Sequence, residues 1–145
     1  MVPHPSSSNE QQVAGIALVN ALSDHLGIPL ESKVLELGGH CIIQIDGYSD
    51  EPPVICEAWA HIGKPKGSQP DKVMADAFKL LFCEKHLCKK FRKILLFSDE
   101  VVRQYFSGKK WQAECLREHN IEVIALRLPV ALLNKIEKAQ ERQYR

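Results

Sequence analysis

Apolar residues recur at helical spacing near the N-terminus of the sequence. Ser8 followed by Gln11 has the spacing of a capping box and predicts a helix that runs to about Leu26, where Gly27 ends it. The residues before it, 1–8, are expected to be a disordered lead-in. The predicted buried stripe of this helix consists of Val13, Ala14, Ala17, Leu18, Ala21 and Leu22.

Three short strands are predicted after this helix, over residues 33–37, 40–46 and 54–61. In the third strand, alternation places Val54, Cys56, Ala58 and Ala60 on one face and Ile55, Glu57, Trp59 and His61 on the other. A carboxylate therefore stands in the middle of an otherwise apolar strand. An ionised Glu is almost never buried without a partner, so this position needs an explanation.

The remainder of the chain alternates between helices and apolar strands. The predicted elements are a helix over 71–83, a strand over 93–97, a helix capped by 98–100 that breaks near Gly108 and resumes over 110–119, a strand over 121–129, and a terminal helix over 129–143. The continuous apolar run KILLF suits a strand covered on both faces. This order predicts an α/β fold, with a mixed sheet of a three-strand meander plus crossover strands flanked by helices, in a single domain over residues 9–145.

Composition narrows the class of protein further. The chain has 145 residues, of which 45% are apolar and 26% charged, as in ordinary globular proteins. Its net charge of +1 neither demands nor excludes a nucleic-acid partner. No apolar run of about 18 residues is present, so no membrane span is predicted. The N-terminus lacks the pattern of a secretory signal and the five scattered cysteines suit reduced thiols, so we expect a cytoplasmic protein.

Two acidic residues are expected to meet across the hairpin of the second and third strands. With the loop centred on residues 50–52, Asp46 lies opposite or nearly opposite Cys56 or Glu57. Facing carboxylates must share a proton, pair with cations or bind a metal ion. Mg²⁺ takes oxygen ligands, often one or two carboxylates completed by water and substrate phosphate. The alternative is that Asp46 only starts the following turn and Glu57 pairs with a surface lysine.

Basic residues follow the two acids along the chain. The loop GKPKGSQP, residues 63–70, leads into a helix on which Lys72, Asp76 and Lys79 share one face. Acids that hold a metal ion beside lysines that hold phosphate make a sensible phosphodiesterase site. For Lys72 the alternative is a plain i, i+4 ion pair with Asp76.

In this arrangement the chain resembles the PD-(D/E)XK nuclease superfamily. The residues that carry the resemblance are Ile45-Asp46-Gly47 and Glu57-Ala58-Trp59, within an element order that is similar over about residues 10–127. The resemblance implies a restriction endonuclease-like core, with Asp46 and Glu57 binding Mg²⁺ or Mn²⁺ and hydrolysis of DNA phosphodiester bonds. It also implies a homodimer, as is common among small stand-alone members.

The chain departs from the family pattern at one position. The family usually has Lys two residues after the Glu, and this sequence has Trp59 there. Lys72 on the following helix is the first candidate for the missing amine, and Lys64 is the second. The sequence therefore predicts a Mg²⁺-dependent endonuclease with Asp46, Glu57 and Lys72 as catalytic residues. The alternative is a catalytically inactive nuclease-fold module that binds nucleic acid or another protein.

Further polar residues are candidates for binding the substrate. They could contact phosphate, orient water or line the cleft, and the set consists of Gln44, His61, Lys64, Lys66, Gln69 and Lys79. Each has a structural alternative: a solvated rim for the lysines, a polar loop or strand position for the glutamines, and a structural role for the histidine.

Overall fold

The computed structural model describes residues 9–143; the predicted lead-in with Ser8, and the last two residues of the predicted domain, lie outside this range. The described elements are α1 (Asn9–Leu26), β1 (Glu31–Glu36), β2 (Ile42–Ser49), β3 (Val54–Trp59), α2 (Gln69–Leu87), β4 (Arg92–Phe97), α3 (Glu100–Tyr105), α4 (Trp111–Glu118), β5 (Ile121–Ala125) and α5 (Val130–Gln143). The predicted α/β class and element order are confirmed.

The five strands form one mixed sheet in the order β1-β2-β3-β4-β5. The pairs β1–β2 and β2–β3 are antiparallel, whereas β3–β4 and β4–β5 are parallel. Helix α2 connects β3 to β4, and α3 with α4 connects β4 to β5. A meander is thus continued by two crossover connections, which confirms the predicted mixed sheet.

Helices cover both faces of the sheet. Helices α2, α3 and α4 pack on one face, where α2 contributes Val73, Ala77, Leu80 and Cys83 at helical spacing. Helices α1 and α5 pack on the other face through Ala14, Leu18, Leu22 and Ile136. Strand β4 lies between the two layers, which explains its continuous apolar run: Ile94, Leu95, Leu96 and Phe97 are all buried.

Some predicted details of these elements were wrong. Val13 is 49% exposed, because α1 turns Val19 toward the sheet instead. The predicted strands over 54–61 and 121–129 end earlier, at Trp59 and Ala125, because both residues pair with Phe97, the last residue of β4. The last main-chain bond at this end runs from the N–H of Leu126 to the carbonyl oxygen of Phe97, at 2.9 Å.

A buried lysine joins α2 to β4. Lys93 is 5% exposed, and its Nζ lies 2.8 Å from both carboxylate oxygens of Glu84. The main-chain N–H of Phe91 donates to Glu84 Oε2 at 2.9 Å. Burial alone would raise the pKa of Glu84, but the hydrogen bonds from Lys93 and Phe91 outweigh it and lower that pKa.

Replacing Glu84 by Gln is expected to lower the free energy of unfolding at pH 7 by about 3 kcal/mol, because a buried ammonium loses its counter-charge. The pKa of Glu84 is lowered on folding, so this contribution is present above the ordinary pKa of 4.5 and is lost as the pH falls through the lowered value. Urea denaturation of the parent and of Glu84→Gln at pH 7 and at pH 3 measures the loss of stability and its dependence on pH. Glu122→Gln, which affects an exposed pair with Arg92, is the control, with an expected change below about 1 kcal/mol. Equal losses in the two variants would contradict the interpretation.

Candidate functional site

The site begins where β2 and β3 separate. Their regular pairing ends at Gly47 opposite Cys56, and β2 is irregular between Ile45 and Tyr48. Just beyond that pair, the main-chain N–H of Ala58 donates to Oδ2 of Asp46 at 2.9 Å. A side-chain carboxylate thus accepts the N–H at the point where the ladder stops, and this bond holds Asp46 against β3.

Gly47 permits this close approach of the two strands. A Cβ atom at this position would lie 2.5 Å from Sγ of Cys56, which is sterically impossible without movement, and 3.1 Å from Val19. The residue after Asp46 therefore has to be glycine for β2 to lie this close to β3 and α1.

Glu57 points from β3 toward α2 and is almost fully buried, with its side chain 3% exposed. Nζ of Lys79, on α2, lies 2.6 Å from Oε1 of Glu57. Within residues 9–143 this Oε1 has no hydrogen bond of acceptable geometry. Lys79 therefore acts on the carboxyl group through its charge rather than through a well-directed hydrogen bond.

Carboxyl groups outnumber ammonium groups in this cluster. Burial, followed by the hydrogen bond and negative charge of Asp46, raises the pKa of Glu57 to about 9, against the lowering effect of Lys79. Burial also raises the pKa of Asp76, while Lys72 and Lys79 lower it. The pKa of Lys79 is raised because three acids outweigh the effect of its burial. Three carboxyl groups face two ammonium groups, so the cluster has room for one more positive charge, either a proton or a cation.

Lys72 lies at the rim of this cluster rather than against Glu57. Its Nζ is 3.4 Å from Oδ2 of Asp76, so the i, i+4 ion pair that was the alternative for Lys72 is present. The same Nζ lies 5.9 Å from the centre of the Trp59 ring. Of the two lysines, the structure brings Lys79 to the acid pair.

Trp59 and His61 form a stacked wall beside the acids. Their ring centroids are 4.3 Å apart, and the ring planes are inclined by only 5° to each other. His61 is buried, and its carbonyl oxygen accepts a hydrogen bond from Oγ of Ser98 at 3.1 Å. Burial lowers the pKa of His61 to about 4, although Asp99 acts to raise it. The ring is therefore neutral at physiological pH.

A pH-dependent loss of stability is expected from His61. An unfolded His takes up a proton near pH 6.5, whereas the folded chain keeps His61 neutral down to about pH 4, so the unfolded state binds more protons between these values. As the pH falls across this window, the free energy of unfolding of the parent should decrease by on the order of 2 kcal/mol more than that of His61→Gln. Denaturation at pH 7, 5.5 and 4 tests the difference. A His61 ring that titrates near pH 6.5 by NMR would contradict it.

The segment after β3 is fixed by two distant residues. Ile62 donates its N–H to Oε1 of Gln140 at 2.8 Å and accepts from Nε2 of the same side chain at 3.0 Å. Gly63 donates its N–H to Oδ2 of Asp99 at 2.7 Å, while the other oxygen of Asp99 caps α3 through Val101. Only Asp99 had a sequence signal, as a predicted cap; nothing in the sequence indicated Gln140.

The remaining predicted substrate-binding residues lie at different places. Lys64 and Lys66 are exposed on the loop, and the N–H of Lys66 donates to Oε1 of Gln69 at 2.8 Å, which joins the loop to the start of α2. Gln44 is exposed and donates to Oγ of Ser32 on β1 at 3.0 Å. The structure thus places Lys64 and Lys66 on the loop that follows β3, and engages Gln44 with β1.

Comparisons of the chain with protein-family models, with curated proteins and with solved structures find no match. Across residues 9–143, no group of three or more His, Cys, Asp or Glu side chains is arranged to hold a metal ion. In the same range, no helix is long and apolar enough to cross a membrane. The restriction endonuclease-like core, the Mg²⁺ site and the nucleic-acid partner remain predictions. Their support comes from the geometry of the acid pair.

Proposed function

We propose that this chain is a divalent-metal-dependent phosphodiesterase of the nuclease type that acts on nucleic acid, with Asp46, Glu57 and Lys79 in its active site. The observation that carries the proposal is the convergence of these three residues where β2 and β3 separate. Lys79 replaces Lys72 as the site lysine because its ammonium lies against Glu57, whereas that of Lys72 is paired with Asp76.

The donor set fits a hard divalent cation. Oε1 of Glu57 is buried, with Nζ of Lys79 at 2.6 Å but no well-formed hydrogen bond within the described range, and the carboxyl groups of the cluster outnumber its ammonium groups. Asp46 and Glu57 would hold the ion. Two carboxylates suffice for Mg²⁺, which commonly completes its shell with water and substrate phosphate. When bound, the ion would lower the pKa of a coordinated water and offset negative charge on the phosphate.

The side chains of the protein supply the remaining electrostatics. Lys79 is partly exposed, so its ammonium can face a phosphate oxygen and stabilise the negative charge that develops there. In the hydrolysis, the water oxygen bonds to phosphorus, the bond to the leaving sugar oxygen breaks, and that oxygen gains the proton that the water loses. Lys64 and Lys66, exposed on the loop, would contact neighbouring phosphates. The neutral, stacked rings of Trp59 and His61, which follow Glu57 on the same face of the chain, would limit water on that side of the site.

The proposal is tested by cutting assays on labelled single-stranded, duplex and branched DNA and on RNA, with Mg²⁺, Mn²⁺ or a chelator. Metal-dependent cutting is expected for the parent, with a loss of about 100-fold or more in Asp46→Asn. The Asn keeps an oxygen that can accept the Ala58 N–H, so the strands stay joined. Lys72→Ala is the control and should retain activity. Cutting by Asp46→Asn at the parent rate would rule out the proposal.

A second candidate function is a non-cutting nucleic-acid-binding module. Trp59 stands where the resembling family has its lysine, and Lys79 already supplies a counter-charge to Glu57. Such a module would bind nucleic acid with an affinity that falls as salt rises, with or without metal. Binding without cutting on every substrate would favour this candidate over the nuclease.

A further inference from the structure

The outward face of α2 carries an apolar stripe bordered by charges. The surface is lined by Asp71, Met74, Ala75, Phe78, Lys79 and Phe82, which share one side of the helix. Phe78 is 74% exposed at its centre. We call Met74, Phe78 and Phe82 the α2 stripe. Single exposed apolar residues are ordinary, but a contiguous apolar surface with a charged border marks an interaction site.

The α2 stripe is symmetric about Phe78, which is also the middle residue of the helix Gln69–Leu87. Met74 and Phe82 lie four residues to either side, about 6 Å along the helix axis. Asp71 and Lys85 lie seven residues to either side, or about 10.5 Å, which returns them to the same face as Phe78.

Asp71 and Lys85 have opposite charges and are available to a partner. Both residues are exposed. Among the ion pairs of residues 9–143, neither side chain takes part. Two copies of α2 packed antiparallel around Phe78 would bring each Asp71 beside Lys85 of the other copy. A parallel arrangement would instead oppose like charges.

We propose that the α2 stripe is the contact surface for a second copy of this chain. The two α2 helices pack antiparallel across a two-fold axis at Phe78, with Met74 against Phe82 of the second copy and two Asp71–Lys85 pairs at the ends. Such a contact is isologous, as in most closed homodimers. One helix face on each side buries less than the roughly 800 Å² per partner of a standard interface, so the dimer is reversible. The inference does not rest on the proposed nuclease function, although Lys79 borders both this surface and the proposed active site.

Sedimentation equilibrium over loading concentrations of about 5–500 µM tests this contact. The parent should show a reversible monomer–dimer equilibrium. Phe78→Glu should weaken dimerisation at least tenfold and leave the thermal midpoint of the monomer unchanged, since the side chain is exposed. Asp71→Lys and Lys85→Asp should each weaken it by like-charge repulsion, and the double variant should regain the parent affinity.

The control is Ile16→Ser on α1, which removes a side chain that is 64% exposed outside the stripe and should leave dimerisation unchanged. A parent that stays monomeric throughout would overturn the proposal, as would dimerisation of Phe78→Glu at the parent affinity. A double variant no better than the single variants would overturn the antiparallel register. A monomeric parent in which Phe78→Glu weakens binding of single-stranded DNA would identify nucleic acid as the occupant instead.

Discussion

Replacing Glu57 by Gln is expected to stabilise the fold while abolishing metal-dependent cutting. The pKa of Glu57 is raised from 4.5 to about 9 on folding, so between these values the folded chain binds a proton that the unfolded chain has released. The free energy of unfolding therefore falls as the pH rises from 4.5 to 9. Gln does not ionise, and at pH 8 the variant should be more stable by on the order of 2 kcal/mol.

Urea denaturation of the parent and of Glu57→Gln at pH 6, 7, 8 and 9 measures this effect. The gap in stability should widen as the pH rises. Glu84→Gln makes the same chemical change in another carboxylate that faces a lysine between α2 and the sheet, and its effect should have the opposite sign because the pKa of Glu84 is lowered. A Glu57→Gln variant less stable than the parent at every pH would show that the ionised pair with Lys79 stabilises the fold. Retained cutting would remove Glu57 from the site.

Replacing Lys79 by Met is expected to have the second large effect. Lys79 lowers the pKa of Glu57 and is the cation nearest to it, so without Lys79 the cost of ionising Glu57 increases. The loss of stability should be small at pH 6, where Glu57 is protonated, and should grow above the pKa of about 9, by about 1.4 kcal/mol per pH unit, because only there does the parent gain from ionising Glu57 beside Lys79. Cutting should fall by about 100-fold or more, because an ammonium facing the phosphate is removed.

The double variant Glu57→Gln with Lys79→Met separates the two contributions. Replacing both partners of a buried pair by uncharged groups is often nearly neutral, so the double variant should regain most of the stability that Lys79→Met loses above pH 9. Lys72→Met is the matched control on the same helix face, and its exposed pair with Asp76 predicts a change below about 1 kcal/mol. Additive effects of the two substitutions would indicate that Glu57 and Lys79 do not interact.

Much of the fold could be predicted from apolar periodicity. The run KILLF predicted a strand covered on both faces, and β4 lies between two helical layers. The alternation around Glu57 also matched the two faces of β3, because the pleat fixes which side chains point together. Strand ends were less predictable, since Ala125 and Trp59 end their strands only because Phe97 ends β4.

The acid pair was predictable from hairpin register, but the lysine was not. Lys72 and Lys79 share one helix face in the sequence, seven residues or about 10.5 Å apart. Which of the two reaches Glu57 depends on how far α2 is displaced along the sheet, and the packing of its buried residues on β3 and β4 decides that. The role of Gln140 was equally unpredictable, because its contact with Ile62 joins residues 78 positions apart and depends on how the helices pack.

Calorimetric titration with Mn²⁺ tests the central claim that Asp46 and Glu57 form one cation site beside Lys79. We expect one Mn²⁺ ion to bind per parent chain and no measurable binding by Asp46→Asn or Glu57→Gln. Asp24→Asn, a change in an exposed acid at the end of α1, should bind as the parent does. No binding by the parent, or equal binding by the parent and Asp46→Asn, would show that the two acids do not form a cation site.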